Sequence, residues 1–514
     1  MTRHSFMQGA LILFISGIFV KIVGFTFQIL VIRLIGTEAV GLYNMVFPLY
    51  ITVLVITTAG LPLAISKMVA QQVALNNYKA AIKIFKICLL LLVLLGFTFT
   101  VVLIIVSPFI IENLYDDPRV IWCFYTMLPG ILIVSICSAF RGFFQGLQEM
   151  FAPAITQCVE QIVRVSLALI LITKLQPYGI KMVAVGLSAS MITGEIIGLI
   201  LIYIFYLFKK NKLKKELGNF LGSLEVSIRK IILELFSFGF PTTLTRLTAS
   251  LVLTFEASLI PLTLQKSGYN INQAASIYGQ FSGVAITLLT IPTVLTFSLA
   301  TSLVPSISEA EAQGKLSALQ FRSTEALRLT YVFGLPVAII LFLKASNLSS
   351  LLFNLPDAGI TLRYLACGAI FLYLAQTSNG ILQGLGLVKN ILFNTIVGAV
   401  IKILGIIYLV SIPQLNINGA AIAFVISYIV VCLLNLYIIY LNTGFNFTIF
   451  QIILPMIAAF FMGGLIFWET KILSSYLSQN LITIVSLSTG SFLYLFLVSI
   501  WKQINFKYIF KKKG

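Results

Sequence analysis

Residues 87–106 read ICLLLLVLLGFTFTVVLIIV, a stretch without one charged side chain. A helix needs about 20 apolar residues to cross roughly 30 Å of hydrocarbon. In lipid the backbone must satisfy its own hydrogen bonds, so a run of this kind is a membrane-spanning helix. Outward from it the pattern recurs, with fourteen spans expected near 7–32, 43–66, 84–110, 120–140, 152–173, 183–208, 231–262, 277–304, 326–346, 361–384, 390–411, 418–440, 449–468 and 480–501. Pro292 is expected to bend the span at 277–304. The fold class is therefore all-α, a polytopic membrane protein.

Composition agrees. The chain of 514 residues is 59% hydrophobic and 10% charged, with a mean hydropathy of +1.04. Soluble domains average about 45–50% apolar and about 25% charged. Arg3 and His4 precede an apolar run that continues past Lys21 to about Ile32. No small-residue cleavage pattern follows, so this reads as a retained first helix. Cys88, Cys123, Cys137, Cys158, Cys367 and Cys432 stand alone in or near apolar segments, and there is one histidine. They read as small packing residues; neither a disulfide framework nor a zinc site nor any cofactor is expected. No G-x-x-x-x-G-K-[ST] occurs, so no nucleotide is expected to act from within the chain.

The net charge of +18 does not point to nucleic acid, because it gathers in short segments between apolar runs. Lys67, Lys79, Lys83 and Lys86 follow the second span; Lys209, Lys210, Lys212, Lys214, Lys215, Arg229 and Lys230 follow the sixth; Lys502, Lys507, Lys511, Lys512 and Lys513 form the tail. The third connection instead carries Glu112, Asp116 and Asp117. Positive charge marks the cytoplasmic side, so a multi-pass membrane protein with both termini cytoplasmic is expected, its lysines touching anionic membrane lipids.

The chain also repeats itself. LYDDP (114–118) matches LFNLP (352–356), and the same spacing pairs RGFFQGL (141–147) with NGILQGL (379–385) and Val163-Arg164-Val165 with Ile401-Lys402-Ile403. One residue is then lost, after which Ala184 pairs with Ala421, Ser190 with Ser427 and Tyr203 with Tyr440. Each unit holds an even number of spans, so the two run parallel, related by an axis along the membrane normal. The expected organisation is a six-helix lobe at 1–208, a basic cytoplasmic linker at 209–230, a second six-helix lobe at 231–440, and two additional helices with a basic tail at 441–514. Pro48, Pro62, Pro129, Pro241, Pro292 and Pro336 are candidate hinges or kinks.

Ionisable residues near mid-span carry the sharpest functional signal, since each costs a few kcal/mol or more there. Lys21, Glu160, Arg164, Glu195, Arg246, Glu256 and Lys402 fall in this class. Glu160 and Arg164, spaced i, i+4, share a helix face with Gln157 and Gln161 and can pair. Lys21 and Gln28 share a face of the first span, Arg33 lies near its outer end, and Lys402 occupies the repeat position of Arg164. The expectation is a wet cavity lined from both lobes, with more fixed positive charge than internal pairing needs, suited to an anionic group such as a phosphate. Glu160, Glu195 and Glu256 are also candidate ion-coupling residues for protons or sodium.

Several segments resemble the stage V sporulation protein B group of polysaccharide and lipid-linked-oligosaccharide exporters, in the multidrug/oligosaccharidyl-lipid/polysaccharide (MOP) exporter superfamily with the lipid II flippases and MATE exporters. These are GLPLAISKMVA (60–70), FRGFFQGLQ (140–148), VEQIVRVSLA (159–168), YGI (178–180), FGFPTTLTR (238–246), TFEASLI (254–260) and ATSLVPSISEA (300–310). The resemblance runs in order from about residue 5 to 440. It implies two six-helix lobes, a central cavity, and a polyprenyl-pyrophosphate-linked saccharide moved from the inner to the outer leaflet, in spore cortex or cell-wall synthesis, with cell-wall synthesis enzymes as candidate partners. It also implies that Lys21, Glu160, Arg164 and Glu256 line the cavity; Lys at position 21 in place of Arg gives up bidentate geometry. Two other readings compete. One is a cation-coupled exporter of small amphiphiles, which the three glutamates would serve. The other is a membrane glycosyltransferase, invited by Asp116-Asp117, although no further carboxylate cluster supports base or metal chemistry; the pair is expected to be a solvated turn.

Overall fold

A computed structural model describes residues 6–75, 77–217 and 228–501, with side chains for 12–75, 77–210, 243–244 and 246–501. Among the described residues there are helices and no strand. The basic tail 502–514 and the centre of the basic linker lie outside the described residues. The chain forms two compact units.

Unit 1 takes in Met1–Leu262 and Asn270–Gly279. Its helices are α1 (Phe6–Ile35), α2 (Thr37–Thr58), α3 (Leu61–Ala74), α4 (Tyr78–Leu114), α5 (Val120–Gly146), α6 (Phe151–Leu175), α7 (Ile180–Leu217), most of α8 (Ile228–Lys266) and α9 (Ile271–Gln280). Unit 2 takes in Thr263–Tyr269 and Gln280–Gly514, with a π-helical turn at Phe281–Ala285 and α10 (Ile286–Thr290), α11 (Thr293–Ala312), α12 (Leu316–Leu343), α13 (Ala345–Phe353), α14 (Ala358–Ala366), α15 (Ala369–Gly384), α16 (Val388–Val410), α17 (Ile417–Thr443), α18 (Ile449–Leu473) and α19 (Gln479–Ile500). Among the described residues, twelve helices are long and apolar enough to span a bilayer, or up to 14 if each of two bent pairs is one span.

The compact units divide at a different place from the segments read off the repeat. Helix α7 runs on to Leu217, into the expected linker, and α8 packs with unit 1 as far as Leu262. A hydroxyl pair, Thr52 with Thr254 at 2.9 Å, ties α8 to α2. Helix α9 is drawn to α2 by a close crossing: a Cβ on Gly41 would lie 2.0 Å from the Ala275 carbonyl oxygen, and one on Gly279 would lie 1.9 Å from that of Thr37. Thr37 and Ser276 hydroxyls meet beside it at 2.8 Å. Only glycine permits this approach. Gly279→Ala is therefore expected to destabilise the protein by about 1–3 kcal/mol, the usual cost of overpacking. Thermal unfolding in detergent measures it, with Gly464→Ala as a neutral control because a Cβ there meets nothing within 4 Å.

The breaks have local causes. Ala59 and Gly60 are successive left-handed residues (φ 44 and 66) that end α2, and Pro62 sits in the first turn of α3, where its missing N–H costs nothing. The span at Ile271–Ala312 bends by 54° at Ile291–Pro292, where proline removes a helix hydrogen bond. A second bend, 56° between α14 and α15, has no proline; there α17 comes so near that a Cβ on Gly368 would lie 2.8 Å from Val425. Pro48, Pro129 and Pro336 lie inside α2, α5 and α12 without breaking them.

The internal repeat reappears in the packing of each unit. Gly142 and Gly146 of α5 press on Pro62 and Val69 of α3; at the repeat positions Gly380 and Gly384 of α15 press on Ala300 and Ile307 of α11. The glycines of RGFFQGL and NGILQGL thus seat equivalent helix crossings. The last two helices pack on α12: Tyr494 donates to the Val332 carbonyl at 2.6 Å, Lys344 donates to the Thr470 hydroxyl, and Met462, Ile466 and Val498 fill the seam.

Candidate functional site

Unit 1 gathers four charged side chains from three helices. Glu160 on α6 accepts from Arg164 one turn away at 3.0 Å, the i, i+4 pairing expected from the spacing. Its other oxygen accepts from Arg141 of α5 at 2.6 Å. Arg164 also reaches Glu195 of α7 at 3.3 Å. Glycines allow this closeness: a Cβ on Gly194 would lie 3.0 Å from the Glu160 carbonyl oxygen, and one on Gly198 would lie 3.1 Å from Glu160 Oε2. The carboxylates are almost closed off, with side-chain exposures of 11% and 10%, whereas Arg141 and Arg164 keep 20% and 23% open. The quartet is electroneutral, two guanidiniums against two carboxylates, and each bond in it is charge-assisted.

Arg141 was not among the residues singled out from the sequence. It sits in the RGFFQGL repeat motif, one residue beyond the span drawn at 120–140, whereas α5 continues to Gly146. A charged residue opening a motif whose partner copy has Asn379 is the signal that could have found it. Tyr50 of α2 is the other unanticipated neighbour: it is wholly buried, its hydroxyl has no hydrogen-bond partner, and it lies within electrostatic reach of Glu195, Glu160 and Arg164.

The remaining candidates fall around this quartet or apart from it. Helix α1 packs on α6, where a Cβ on Gly24 would lie 3.4 Å from Gln161 Nε2. Lys21 and Gln28, three before and four after Gly24, share that face. Gln161 is buried and Gln157 half-buried; Lys21 and Arg33 are exposed, and Gln28 is half-buried. On α8, Glu256 is buried and Arg246 exposed. Among the described residues Lys21 and Arg246 form no ion pair. Lys402, in unit 2, lies over the rings of Phe424 at 4.4 Å and Tyr428 at 5.8 Å. A ring face so placed attracts a cation electrostatically.

The acidic connection is not the solvated turn expected. Asp116 is exposed, but Asp117 is buried and accepts from Arg119 at 2.7 Å, while Arg119 also bridges to Glu38 at 2.7 Å. Those hydrogen bonds, Asp117 first, hold the guanidinium more firmly protonated than usual, against the opposing effect of burial. This is a structural clamp rather than a pair of free carboxylates.

The chain can now be set beside known proteins. The family model described as Polysaccharide biosynthesis protein matches residues 6–311, and the MatE model matches 281–407. The Stage V sporulation protein B of Bacillus subtilis (strain 168) is 34% identical over 435 residues, covering 85% of this chain and 83% of that protein. The lipid II flippase MurJ of the same strain is 24% identical over 521 residues, covering 95% and 94%. A solved structure of lipid II flippase MurJ in an inward closed conformation superposes with a TM-score of 0.71 at 14% identity, over 95% of this chain and 98% of that one. The chain is thus an all-α, multi-pass membrane protein of the polysaccharide biosynthesis protein family, built on the MOP-superfamily fold.

Proposed function

We propose that the protein flips a polyprenyl-pyrophosphate-linked saccharide from the inner to the outer leaflet by alternating access, without chemistry on the substrate. The observation that carries this reading is the state of Lys21 and Arg246. Each lies well inside a long apolar helix, is exposed from the protein, and forms no ion pair among the described residues. A cation so placed faces either lipid tails, which is costly, or a water-lined cavity. In a cavity the natural counter-ion is the anionic headgroup of the substrate. The names of the relatives, a sporulation protein and a lipid II flippase, agree with a wall-precursor substrate. Membrane lipids surround the protein, and cell-wall synthesis enzymes are the partners that would supply or consume the substrate.

A cation-coupled exporter of small amphiphiles is the second reading, and it needs carboxylates open to a cation. Glu160 is instead held by two arginines. The deciding experiment is leaflet accessibility of labelled lipid II in proteoliposomes, with and without an imposed potential. An inside-negative potential favours outward movement of a negative headgroup by at most about 2.3 kcal/mol per charge per 100 mV. Acceleration by that polarity is expected; no flipping under either condition removes the proposal.

Localisation to the cell membrane with both termini cytoplasmic has its own test. In a background lacking the native cysteines, cysteines at 212 and 512 should resist an impermeant thiol reagent in whole cells. One replacing exposed Asp116 should react, whereas one at buried Asp117 should react poorly. Labelling of 212 from outside would invert the orientation.

A further inference from the structure

The quartet of Arg141, Glu160, Arg164 and Glu195 is not evenly satisfied. Glu160 receives two short ion-pair bonds, one on each oxygen. Glu195 receives one long contact, 3.3 Å, from a guanidinium that already serves Glu160. Its second oxygen, Oε2, is buried with no hydrogen-bond partner among the described residues. Three donors in the same cluster are also buried and unpartnered: Tyr50 Oη, Arg141 Nε and Arg164 Nε. A bare carboxylate oxygen in such surroundings forfeits its solvation without recompense. The same oxygen carrying a hydrogen is neutral and becomes a donor.

The repeat sharpens the contrast. Where α5 has Arg141, α15 has Asn379; where α7 has Glu195 and Gly198, α17 has Cys432 and Asn435. In unit 2 Asn379 and Asn435 form a ladder of neutral amides with Asn394 of α16, Asn394 donating to Asn435 at 2.8 Å and Asn435 donating to Asn379 at 2.9 Å. That ladder does its packing work with no charge at all. Pinning α15, α16 and α17 together at these amides therefore takes no carboxylate, although Lys402 stands at the repeat position of Arg164; unit 1 places two carboxylates and two arginines at the equivalent place.

The groups that face Glu195 come from every helix packed against α7. Helix α6 contributes Glu160 and Arg164, α5 contributes Arg141 and Cys137, and α2 contributes Tyr50 with Tyr43 beyond it. From α4, Cys88 is turned into the apolar core beside Phe85 and Phe143. The turn before α7 carries Tyr178, which is exposed. Within this set only Glu195 has an acidic oxygen left without a partner.

We propose that Glu195 takes up one proton as the anionic headgroup binds, so that proton and anion load unit 1 together. The proton comes from water on the open side of the cluster and forms an O–H bond at Glu195 Oε2. The quartet then changes from two positive and two negative charges to two positive and one negative. Arg164, freed from one of its two carboxylates, turns the surplus positive charge toward the substrate anion. Coupling of this kind is reciprocal: anion binding raises proton occupancy, and protonation tightens anion binding. The proposal rests on the anion-cavity reading above and names its regulator.

The test uses the full-length protein in detergent and P1,P2-dimethyl diphosphate, a dianionic diester with no titratable proton near neutrality. Calorimetric binding is expected to be at least about fivefold tighter near pH 6 than near pH 8, one linked proton allowing at most about tenfold per pH unit. A weakly buffered solution with a pH indicator should show proton uptake on adding the diphosphate to the unaltered protein. Glu195→Gln, which mimics the protonated side chain, should bind tightly at both pH values and take up no proton. Glu309→Gln, at an exposed ion pair with Arg322 in unit 2, should retain the pH dependence. Tight binding that is equal at both pH values, with no proton uptake by the unaltered protein, overturns the linkage and leaves the anion site standing. No binding at either pH removes the anion cavity and the linkage with it. If Glu195→Gln does not fold, proton uptake by the unaltered protein still decides.

Discussion

Replacing Lys21 or Arg246 by Gln is expected to cut transport of a labelled lipid-linked saccharide by about tenfold or more, with expression and membrane insertion near normal. A hydrogen bond to a charged group contributes about 1.5–3 kcal/mol, and about 1.4 kcal/mol is a factor of ten. Glutamine keeps polarity and much of the length, so what is lost is the charge. Neither residue supports a neighbouring carboxylate among the described residues, so little folding energy should go with it. A Glu at either position should be worse, because it adds repulsion toward a pyrophosphate. Under the cation-exporter reading the same changes should be neutral or should improve cation binding. Diphosphate binding at low and high salt accompanies the flipping assay. Binding that ignores both substitutions and the salt would remove the anion cavity.

Glu160→Gln should have the largest effect on the folded state. It removes the counter-ion of Arg141 and one of the two counter-ions of Arg164, leaving two guanidiniums close together with Glu195 alone between them. Breaking a buried pair from one side costs about 3–5 kcal/mol. The arginines remain about a fifth open to solvent, which places the expectation at the lower end of that range. Thermal unfolding in detergent would show it. Adding Arg141→Gln should recover part of the loss, because charge balance returns. Exchanging Glu160 and Arg164 should recover little, since the exchange sets an arginine against Arg141. A Glu160→Gln protein as stable and as active as the unaltered one would show that the quartet neither holds the helices nor serves transport.

Most of the architecture could be read from the chain because membrane helices announce themselves locally. Charge-free runs located the spans, and the constant register of RGFFQGL and NGILQGL disclosed the repeat, whose glycines are seen to seat equivalent helix crossings. Pro292 announced its bend for the same reason: the missing N–H belongs to the residue itself. The bend at Gly368 did not, because it has no proline and is accompanied only by the approach of Val425 from another helix, and glycine alone does not say who will approach it. The same division runs through the candidate site. Glu160 and Arg164 share one helix, so their spacing disclosed the pair. Arg141 and Glu195 join them only through tertiary packing, and no spacing rule reaches across three helices. Asp117 reads as an ordinary turn residue until Arg119 and Glu38 are seen to close on it.

That clamp bears on how the chain is threaded into the bilayer in the first place. The connection from α4 to α5 lies at the opposite end of α4 from Lys79, Lys83 and Lys86, so in the orientation proposed above Arg119 is a positive charge that would oppose insertion. It travels with its own neutralising group two residues away, Asp117, and meets a second, Glu38, once α2 is in place. Lys181, on the same side, rests over the ring of Trp122 at 4.2 Å. The connection thus sets its one cation, Arg119, against Glu112, Asp116 and Asp117. With so few cations on this side, the excess of lysines at the other ends of these helices would set the orientation proposed above.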